Sequence, residues 1–471
     1  MNATEDVTAS QAYASWAAEA PVSGDKAAMT AAKSAFIDVI ACMIPGAREI
    51  SARTLRKASS GWGEGPCTVV GETKMQSAPL AALANGTAAH ALDFDDNFDP
   101  AKAHATAVLA PALLALGEER KSTGKDILAS YIIGLQILAR IGQGLNPYHR
   151  NRGWHATATI GVLGAAVACG RLLQLEAAQM CHALNIATSY AGGFMSQFGS
   201  MTKPLHAGKA AEAGVMAATF AEVGMTAAPE TLDGPYGMAQ LTVGPDLEDL
   251  RKRADYKREH GQTMHFETRS IGDPLAILEY GLKVKRFPTC ASAHRALDAI
   301  IALKENHNFQ ASTVDRIDIH APLSHFNNLM YTNPQNAMEA KFCVEYCAAV
   351  AIENGAITIK DFEDDALSKP SFRKLMSLVH RHPADKLESD FPTKVIITLS
   401  NGSSHESTVA APLGRADNPL TTTQLLEKLM QCSFNILSSD RISMLTDTLA
   451  KLDTDTPVND LMSLLRSKEP S

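Results

Sequence analysis

The pattern of apolar and polar positions divides the chain into two kinds of segment. From about residue 11 to residue 264, Ala, Leu, Ile and Met recur at helical spacing, and the alternation typical of strands is nearly absent. Two segments, ATIGVLGAAVACGRLL and AGKAAEAGVMAATFAEVG, carry small residues on more than one face, so neighbouring backbones can approach closely. This pattern predicts a helical domain with these two helices at its centre.

After residue 273 the pattern becomes mixed. VDRIDIHAP (Val314–Pro322) alternates as a half-buried strand does, and KVIITLSNGSSHESTVAAP (394–412) predicts a strand, an Asn-Gly turn and a second strand. Between them, AKFCVEYCAAVAIENG and SFRKLMSLVHRH have helical periodicity. The tail from residue 418 begins with a Pro and a Thr cap, returns to helical periodicity and is expected to rejoin the first domain.

These patterns predict a mainly α fold. We expect a large all-helical domain built from both chain ends, at 1–270 and 413–471, with a smaller α+β domain inserted at 271–412.

Composition and charge exclude several classes of protein. The chain has 471 residues, 45% of them hydrophobic, and a net charge of -8 with scattered Lys and Arg, which argues against nucleic-acid and anionic-membrane partners. The N-terminus, MNATEDVTAS, lacks the pattern of a signal peptide, and no apolar run reaches the roughly 18 residues of a spanning helix. The eight cysteines include no CxxC pair, which indicates reduced thiols. We expect a soluble, cytoplasmic protein.

The stretch HALDFDDNFDPAKAHATA (90–107) concentrates carboxylates and histidines between two apolar segments. Oxygen-bearing side chains stand at alternate positions, as in an EF-hand calcium loop: Asp93, Asp95, Asn97 and Asp99. The match then fails, because Phe98 and His104 stand where that loop needs Gly and a bidentate Glu. We expect no metal here. On spacing alone, a solvated turn is the simpler interpretation, with Asp95 and Asp96 as turn and capping residues.

Two further motifs place polar residues at the starts of the small-residue helices. GWHATATIG contains His155, and GSMTKPLHAGKAAEAG contains Lys203 and His206. A lysine beside the free N–H groups of a helix N-terminus is a good receptor for a carboxylate. Each histidine is more simply a structural residue. Lys203, which follows Thr202 in apolar surroundings, needs an anionic partner.

The inserted segment adds a third group of candidates. Arg286, in the basic run KVKRFP, could clamp a carboxylate with two hydrogen bonds, although such a run is usually a solvated face. Cys290 and His294 lie four residues apart, so on a helix they would share a face and could form a reactive thiolate. A buried cysteine and a structural histidine are the simpler interpretation.

Five motifs, spread in order over most of the chain, resemble those of the MmgE/PrpD family: HALDFDD, GWHATATIG, MTKPLHAGKAAEAG, KRFPTCASAHRALDAI and LMYTNPQNAMEAKFCVEYCAAVAIENG. That family includes 2-methylcitrate dehydratase, cis-aconitate decarboxylase and iminodisuccinate epimerase. The resemblance implies a helical domain built from both chain ends, an inserted α+β lid, a homodimer, an active site between the domains and no required organic cofactor.

The resemblance also implies a pocket that contains Asp93, His104, His155, Lys203 and Tyr331. The family's substrates share two or more carboxylates and an acidic C–H bond. Such chemistry needs a base, donors for the developing negative charge and an acid. We assign carboxylates and developing charge to Lys203 and His155, proton transfer to His104, and the orientation of a histidine or lysine to Asp93. Tyr331 would donate to an oxyanion or pack its ring.

Two departures bear on the reaction. The decarboxylase branch carries Thr where this chain has Asn97 and His where it has Cys290, which disfavours decarboxylation. We therefore predict a cofactor-independent lyase or isomerase acting on a small di- or tricarboxylate by α-proton removal, with dehydration first, epimerisation second and decarboxylation third. A catalytically inactive, dimeric carboxylate-binding scaffold is the rival hypothesis. Five residues are expected to contact substrate: Asn97, Thr202, Arg286, Cys290 and His294.

Overall fold

The computed structural model describes residues 7–254, 263–384 and 391–467. Helices contain 58% of the residues and strands 9%, which confirms the predicted mainly α class. The chain forms two compact units: unit 1 is Met1–Lys283 with Thr421–Ser471, and unit 2 is Val284–Leu420. The domain limits predicted from the sequence lie after residues 270 and 412. Both lie N-terminal to the limits in the structure, which fall after residues 283 and 420.

Unit 1 is mostly helical. Its first stretch contains α1 (Ala9–Glu19), α2 (Lys26–Gly46), α3 (Ile50–Ser59), α4 (Ala78–His90), α5 (Thr106–Arg120), α6 (Gly124–Leu145), α7 (Tyr148–Asn151), α8 (Ala156–Thr159), α9 (Gly161–Leu172), α10 (Ala177–Ala187), α11 (Thr202–Glu222), α12 (Met238–Val243), α13 (Leu247–Ala254) and α14 (Ala276–Glu279). A short antiparallel pair, β1 (Cys67–Thr68) and β2 (Met75–Gln76), lies between α3 and α4. The prediction of an entirely helical domain is wrong in this detail, because two-residue strands leave no detectable alternation.

Helix α11 packs against both α4 and α9 inside unit 1. Helices α9 and α11 are largely buried, as their small residues predicted. The backbones of α4 and α11 touch at two glycines. A Cβ built on Gly86 would lie 2.9 Å from the Cα of Gly208, and one built on Gly208 would collide with the carbonyl oxygen of Leu83. Because only Gly permits this approach, the end of α4 lies beside the start of α11.

Two helices, α2 and α6, are long and apolar enough to cross a membrane by length and composition alone, contrary to the expectation from the sequence. Their most apolar windows are 72% and 89% buried inside the protein. Core helices pass the same test, so this observation gives only weak evidence for membrane association.

Unit 2 combines helices with a four-stranded sheet. Its elements are α15 (His294–His307), β3 (Val314–Pro322), α16 (Leu323–Asn328), α17 (Ala337–Lys341), α18 (Val344–Asn354), α19 (Asp364–Leu367), α20 (Pro370–Met376), β4 (Val379–Ala384), β5 (Thr393–Leu399) and β6 (Ser404–Val409). The strand order is β4-β3-β5-β6, with β3 and β4 parallel and the other pairs antiparallel. The predicted strand β3 and the hairpin of β5 and β6 are confirmed.

The helix predicted for SFRKLMSLVHRH is only partly correct. Its first part forms α20, whereas the HRH segment lies in β4 and pairs with β3, from Ile317 opposite Val379 onward. Pairing with a distant strand overrides the local helical periodicity at this point.

The C-terminal stretch of unit 1 contains α21 (Thr422–Ser433), α22 (Ser439–Ala450) and α23 (Val458–Leu465). The Thr421 hydroxyl caps α21 in a capping box with Gln424, as the sequence predicted. Helix α21 packs on α2. The buried Lys428 ammonium in α21 donates to Asp38 in α2 at 2.6 Å and to the carbonyl oxygen of Phe94 at 2.9 Å.

Candidate active site

The acidic stretch forms a compact loop between α4 and α5. Helix α4 ends at His90, and Asp93 adopts a left-handed backbone conformation with φ 53°. The backbones of Phe98 and Ala103 hydrogen-bond to each other at 2.8 and 3.3 Å, which closes the loop. The chain therefore turns back, and His104 returns to the carboxylates that precede it.

Three carboxylates of this loop are buried: Asp93 is 3% exposed, and Asp95 and Asp96 are 0% exposed. The solvated-turn interpretation is therefore wrong. Asp96 accepts hydrogen bonds from the backbone N–H of Thr106, at 3.4 Å, and from its hydroxyl, so it caps the start of α5 as expected. Burial raises the pKa of Asp96 to about 7, although the bonds from Thr106 oppose the shift.

Lys203 is the second residue of α11, and its buried ammonium donates to Asp93 Oδ1. Asp93 is thus an anionic partner of the kind that Lys203 needs, and it orients this lysine, one of the two roles assigned to it. The centre of the Phe198 ring lies 5.5 Å from the ammonium, within the range of a cation–π contact. A substrate carboxylate that reached Lys203 would share it with Asp93.

His104 lies between two carboxylates. Its Nε2 is 3.8 Å from Asp93 Oδ1, and its Nδ1 is 3.1 Å from Asp95 Oδ2, without good hydrogen-bond alignment in the present ring orientation. The backbone N–H of His104 donates to the Thr157 hydroxyl at 3.1 Å, which fixes this side of the loop to α8. The predicted residues Asp93, His104 and Lys203 therefore lie together.

Sequence reasoning missed the pairing of His90 with Asp95. The His90 Nδ1 lies 3.0 and 2.9 Å from the two oxygens of Asp95, and the His90 and His104 rings are 4.3 Å apart. Burial lowers the pKa of His90 to about 4. Burial alone would raise the pKa of Asp95, but the two imidazoles hold it well below its usual range. The sequence spacing of H-x4-D gave no signal, because His90 ends a helix and Asp95 lies in a loop.

His155 joins the same cluster from α8, where it occupies the N-cap position. Its Nδ1 lies 2.9 Å from Nδ1 of His206, and its ring stacks 6.1 Å from that of His90. Burial, followed by the nearby His90 and Lys203, lowers the pKa of His155 well below its usual value. Since one Nδ1 must donate and the other accept, His206 sets which His155 nitrogen carries the proton. His206 was missing from the predicted site.

The remaining predicted residues of unit 1 lie at the edges of the cluster. The backbone of Asn97 pairs with that of Lys283 through two hydrogen bonds of 2.9 Å, and its side chain is partly exposed. Thr202, also partly exposed, begins α11 immediately before Lys203.

Four predicted residues belong to unit 2. The Arg286 guanidinium donates to Asp298 at 2.8 Å, so a carboxylate of the chain already engages it. Cys290 is buried and precedes a 3-10 turn, and His294 begins α15, so the two do not share a helix face as proposed. Tyr331 is partly buried against the unit 2 core, and its carbonyl oxygen accepts from Arg381 at 2.9 Å.

One set of side chains has the spacing of a metal site: His90, Asp93, Asp95 and His104 each place a potential ligand atom within 4.8 Å of the others. Two imidazoles and two carboxylates suit Zn²⁺. The Lys203 ammonium, however, donates to Asp93 and would repel a cation held there. The arrangement fits hydrogen bonding better than metal ligation, and the absence of a metal stays a prediction.

Comparison with known proteins gives matches over most of the chain. A model of the MmgE/PrpD N-terminal domain matches residues 11–249, and a model of the MmgE/PrpD C-terminal domain matches residues 287–454. Cis-aconitate decarboxylase of Homo sapiens is 27% identical over 417 residues, which cover 86% of this chain and 82% of the human protein. Cis-aconitate decarboxylase of Aspergillus terreus is 27% identical over 92% of this chain and 91% of its own length. A cis-aconitate decarboxylase-like protein of Aspergillus oryzae is 26% identical over 92% of both chains.

Proposed function

Because this chain belongs to the MmgE/PrpD family, we propose that it removes or returns a proton at a carbon beside a carboxylate of a small di- or tricarboxylate. Family membership and the relatives support enzyme status and lyase-type activity on carboxylates. The observation that carries the proposal is the buried cluster in unit 1, where the Lys203–Asp93 ion pair lies beside His104.

Lys203 and the start of α11 are suited to bind the substrate's anionic groups. The ammonium supplies a full positive charge, and the start of a 21-residue helix supplies partial positive charge. Both would stabilise the enolate-like charge that develops when a proton leaves the carbon next to a carboxylate. Because Lys203 is buried, this stabilisation is stronger than in water.

His104 is suited to transfer the proton, and His155 to donate a hydrogen bond. The His104 side chain is 12% exposed, so it is reachable at one edge, and an imidazole can both accept and donate a proton. His155 is neutral, since its pKa is lowered, and therefore adds no repulsion to the ammonium of Lys203. It can donate from Nε2 to a substrate carboxylate when the Nδ1–H of His206 donates to its Nδ1.

Dehydration remains our first proposal for the net reaction, because Asn97 and Cys290 depart from the residues we associate with the decarboxylases. Decarboxylation is the second candidate, and the relatives described above favour it, since they are named cis-aconitate decarboxylase or decarboxylase-like. A homodimer and a cytoplasmic location, both expected from the sequence, also remain proposals.

Four carboxylates test the proposal: 2-methylcitrate, citrate, cis-aconitate and iminodisuccinate, each incubated with the protein in D₂O and followed by NMR. A new olefin formed with loss of water supports dehydration, CO₂ release with a deuterated product supports decarboxylation, and deuterium exchange with inversion supports epimerisation. A parallel arm contains EDTA, and we expect unchanged turnover there. Thermal shifts on binding without olefin formation, CO₂ release or deuterium incorporation would contradict enzymatic function and favour the scaffold.

A further inference from the structure

We propose that Asp95 is a positioning residue for His104, and that it holds two imidazoles, those of His90 and His104, with Nδ1 toward its carboxylate and Nε2 away from it. This inference rests on the proposed function, in which His104 carries the proton.

The hydrogen-bonding capacity of Asp95 determines which nitrogen of a neighbouring histidine carries a proton. Asp95 is fully buried and stays ionised, because the two imidazoles hold its pKa well below the usual range, so its oxygens can only accept. The His90 Nδ1 lies within 3.0 Å of both oxygens and must therefore carry a proton. Since burial lowers the pKa of His90 to about 4, this ring is neutral at pH 7 and its Nε2 bears a lone pair.

Nε2 of His90 provides an independent observation about the role of this ring. Its Nε2 is buried and has no hydrogen-bond partner among the residues that the structure describes. A buried acceptor without a hydrogen bond is unfavourable, so Nε2 of His90 does not stabilise the fold. The polar contact of His90 is its hydrogen bond to Asp95, which indicates that the role of His90 is to hold this carboxylate.

The same carboxylate defines the reactive nitrogen of His104. With Nδ1 protonated at 3.1 Å from Asp95 Oδ2, a small rotation of the ring aligns the hydrogen bond, and such bonds often tighten only when substrate binds. The Nε2 lone pair then lies on the side of Asp93 and Lys203. In the reaction, the C–H bond breaks, its proton moves to Nε2, and the electron pair stays on the substrate beside the carboxylate that Lys203 binds.

The charge on His104 depends on all the groups around it. These are Asp93, Asp95, His90, His155 and Lys203. Asp95 stabilises the imidazolium that forms when Nε2 takes the proton. The hydrogen bond from His90 keeps Asp95 a weaker base than a free carboxylate, so the proton stays on His104.

Asp95→Asn separates positioning from simple loss of structure. An asparagine offers one acceptor and one donor, so only one of the two imidazoles can keep its tautomer. We expect kcat to fall at least about 100-fold while KM changes less than about threefold. The acid limb of the kcat/KM profile should shift to lower pH, because the imidazolium loses the carboxylate that stabilises it. Lower rates at every pH without such a shift would overturn the proposal.

Asp96→Asn is the matched control, since Asp96 is equally buried and adjacent in sequence but contacts Thr106 rather than an imidazole. We expect its kcat and pH profile to match those of the wild type. An equal loss in both variants would assign the effect to the loop as a whole and contradict the proposal.

A second measurement requires no activity. Protein labelled with ¹⁵N in the histidine rings reports the tautomer of His90 by NMR, and His90→Gln identifies its signals. We expect a neutral ring with the proton on Nδ1 at pH 7, which persists to about pH 5. A proton on Nε2 of His90 would overturn the inference whether or not the protein turns over a substrate. If the wild type acts on none of the four carboxylates, the proposed function fails, and this spectrum still decides the role of Asp95.

Discussion

At the residue scale, the site depends on charges that the fold has removed from water. Asp93 and Lys203 are both buried, and each would be strongly unfavourable without an opposite charge nearby. Asp93 also has a left-handed backbone, which few residues other than Gly adopt, and this conformation directs the loop after α4. Backbone strain and buried charge at one residue are typical of functional sites rather than of stabilising contacts.

The first prediction concerns Lys203→Met, which keeps the length of the side chain and removes its charge. We expect kcat/KM to fall about 100- to 1000-fold, because the developing negative charge loses its main stabilising group. The variant should also lose about 3–5 kcal/mol of unfolding free energy in urea, since Asp93 is left buried without the ammonium. The double variant Asp93→Asn/Lys203→Met should recover most of the stability but none of the activity. Near-normal turnover by Lys203→Met would remove this lysine from the mechanism.

The second prediction concerns how the contribution of Asp96 to protein stability depends on pH. Its pKa of about 7 lies above the usual value, so between about pH 4 and pH 7 the native state keeps a proton that the unfolded chain releases. Its contribution to stability is therefore present at low pH and lost as the pH rises through about 7. Asp96→Asn does not titrate, so its Tm relative to the wild type should rise by about 2–5 °C between pH 5 and pH 8. A difference independent of pH would contradict an elevated pKa.

At the element scale, local patterns predicted the helices and strands whose periodicity is strong. The small residues of α9 and α11 and the alternation of β3 are such signals, and the structure confirms these elements. β4 was missed because its strand character comes from pairing with β3, which a local pattern does not contain. His90 and His206 were missed for a similar reason: a single histidine in an apolar helix looks structural until the neighbouring helix is known.

The third prediction tests the contact between α4 and α11. Gly208→Ala places a Cβ against the carbonyl oxygen of Leu83, so the two helices must separate. We expect a loss of about 1–3 kcal/mol in unfolding free energy and a lower kcat, because Lys203 begins α11 and would move relative to Asp93. Gly24→Ala is the control, because a Cβ at Gly24 meets no atom within 4 Å. Unchanged stability in Gly208→Ala would show that the helices do not depend on this close approach.

At the scale of the whole molecule, both chain ends contribute to unit 1. Helix α21 near the C-terminus contacts α2 near the N-terminus, and Lys428 donates both to Asp38 and to the carbonyl oxygen of Phe94, next to Asp93. The ammonium of Lys428 also lies 3.6 Å from the centre of the Phe94 ring. The C-terminal stretch therefore supports the loop that holds the catalytic candidates.

The fourth prediction concerns Lys428→Met, which should destabilise unit 1 by about 3–5 kcal/mol in urea unfolding, because Asp38 is left buried without its ammonium partner. The double variant Asp38→Asn/Lys428→Met should recover most of this loss, since it leaves no buried charge unpaired. A single variant as stable as the wild type would show that α21 does not anchor the loop.

The cluster around His104 and Lys203 is proposed to remove or return a carbon-bound proton of a small carboxylate. NMR in D₂O measures the combined rate of olefin formation, CO₂ release and deuterium incorporation with the four carboxylates, for the wild type, His104→Gln, Lys203→Met and the control Asp96→Asn. We expect the wild type and Asp96→Asn to react at similar rates, and the rate to fall at least about 100-fold in the other two variants. Equal rates in all four proteins would contradict the proposed roles of His104 and Lys203.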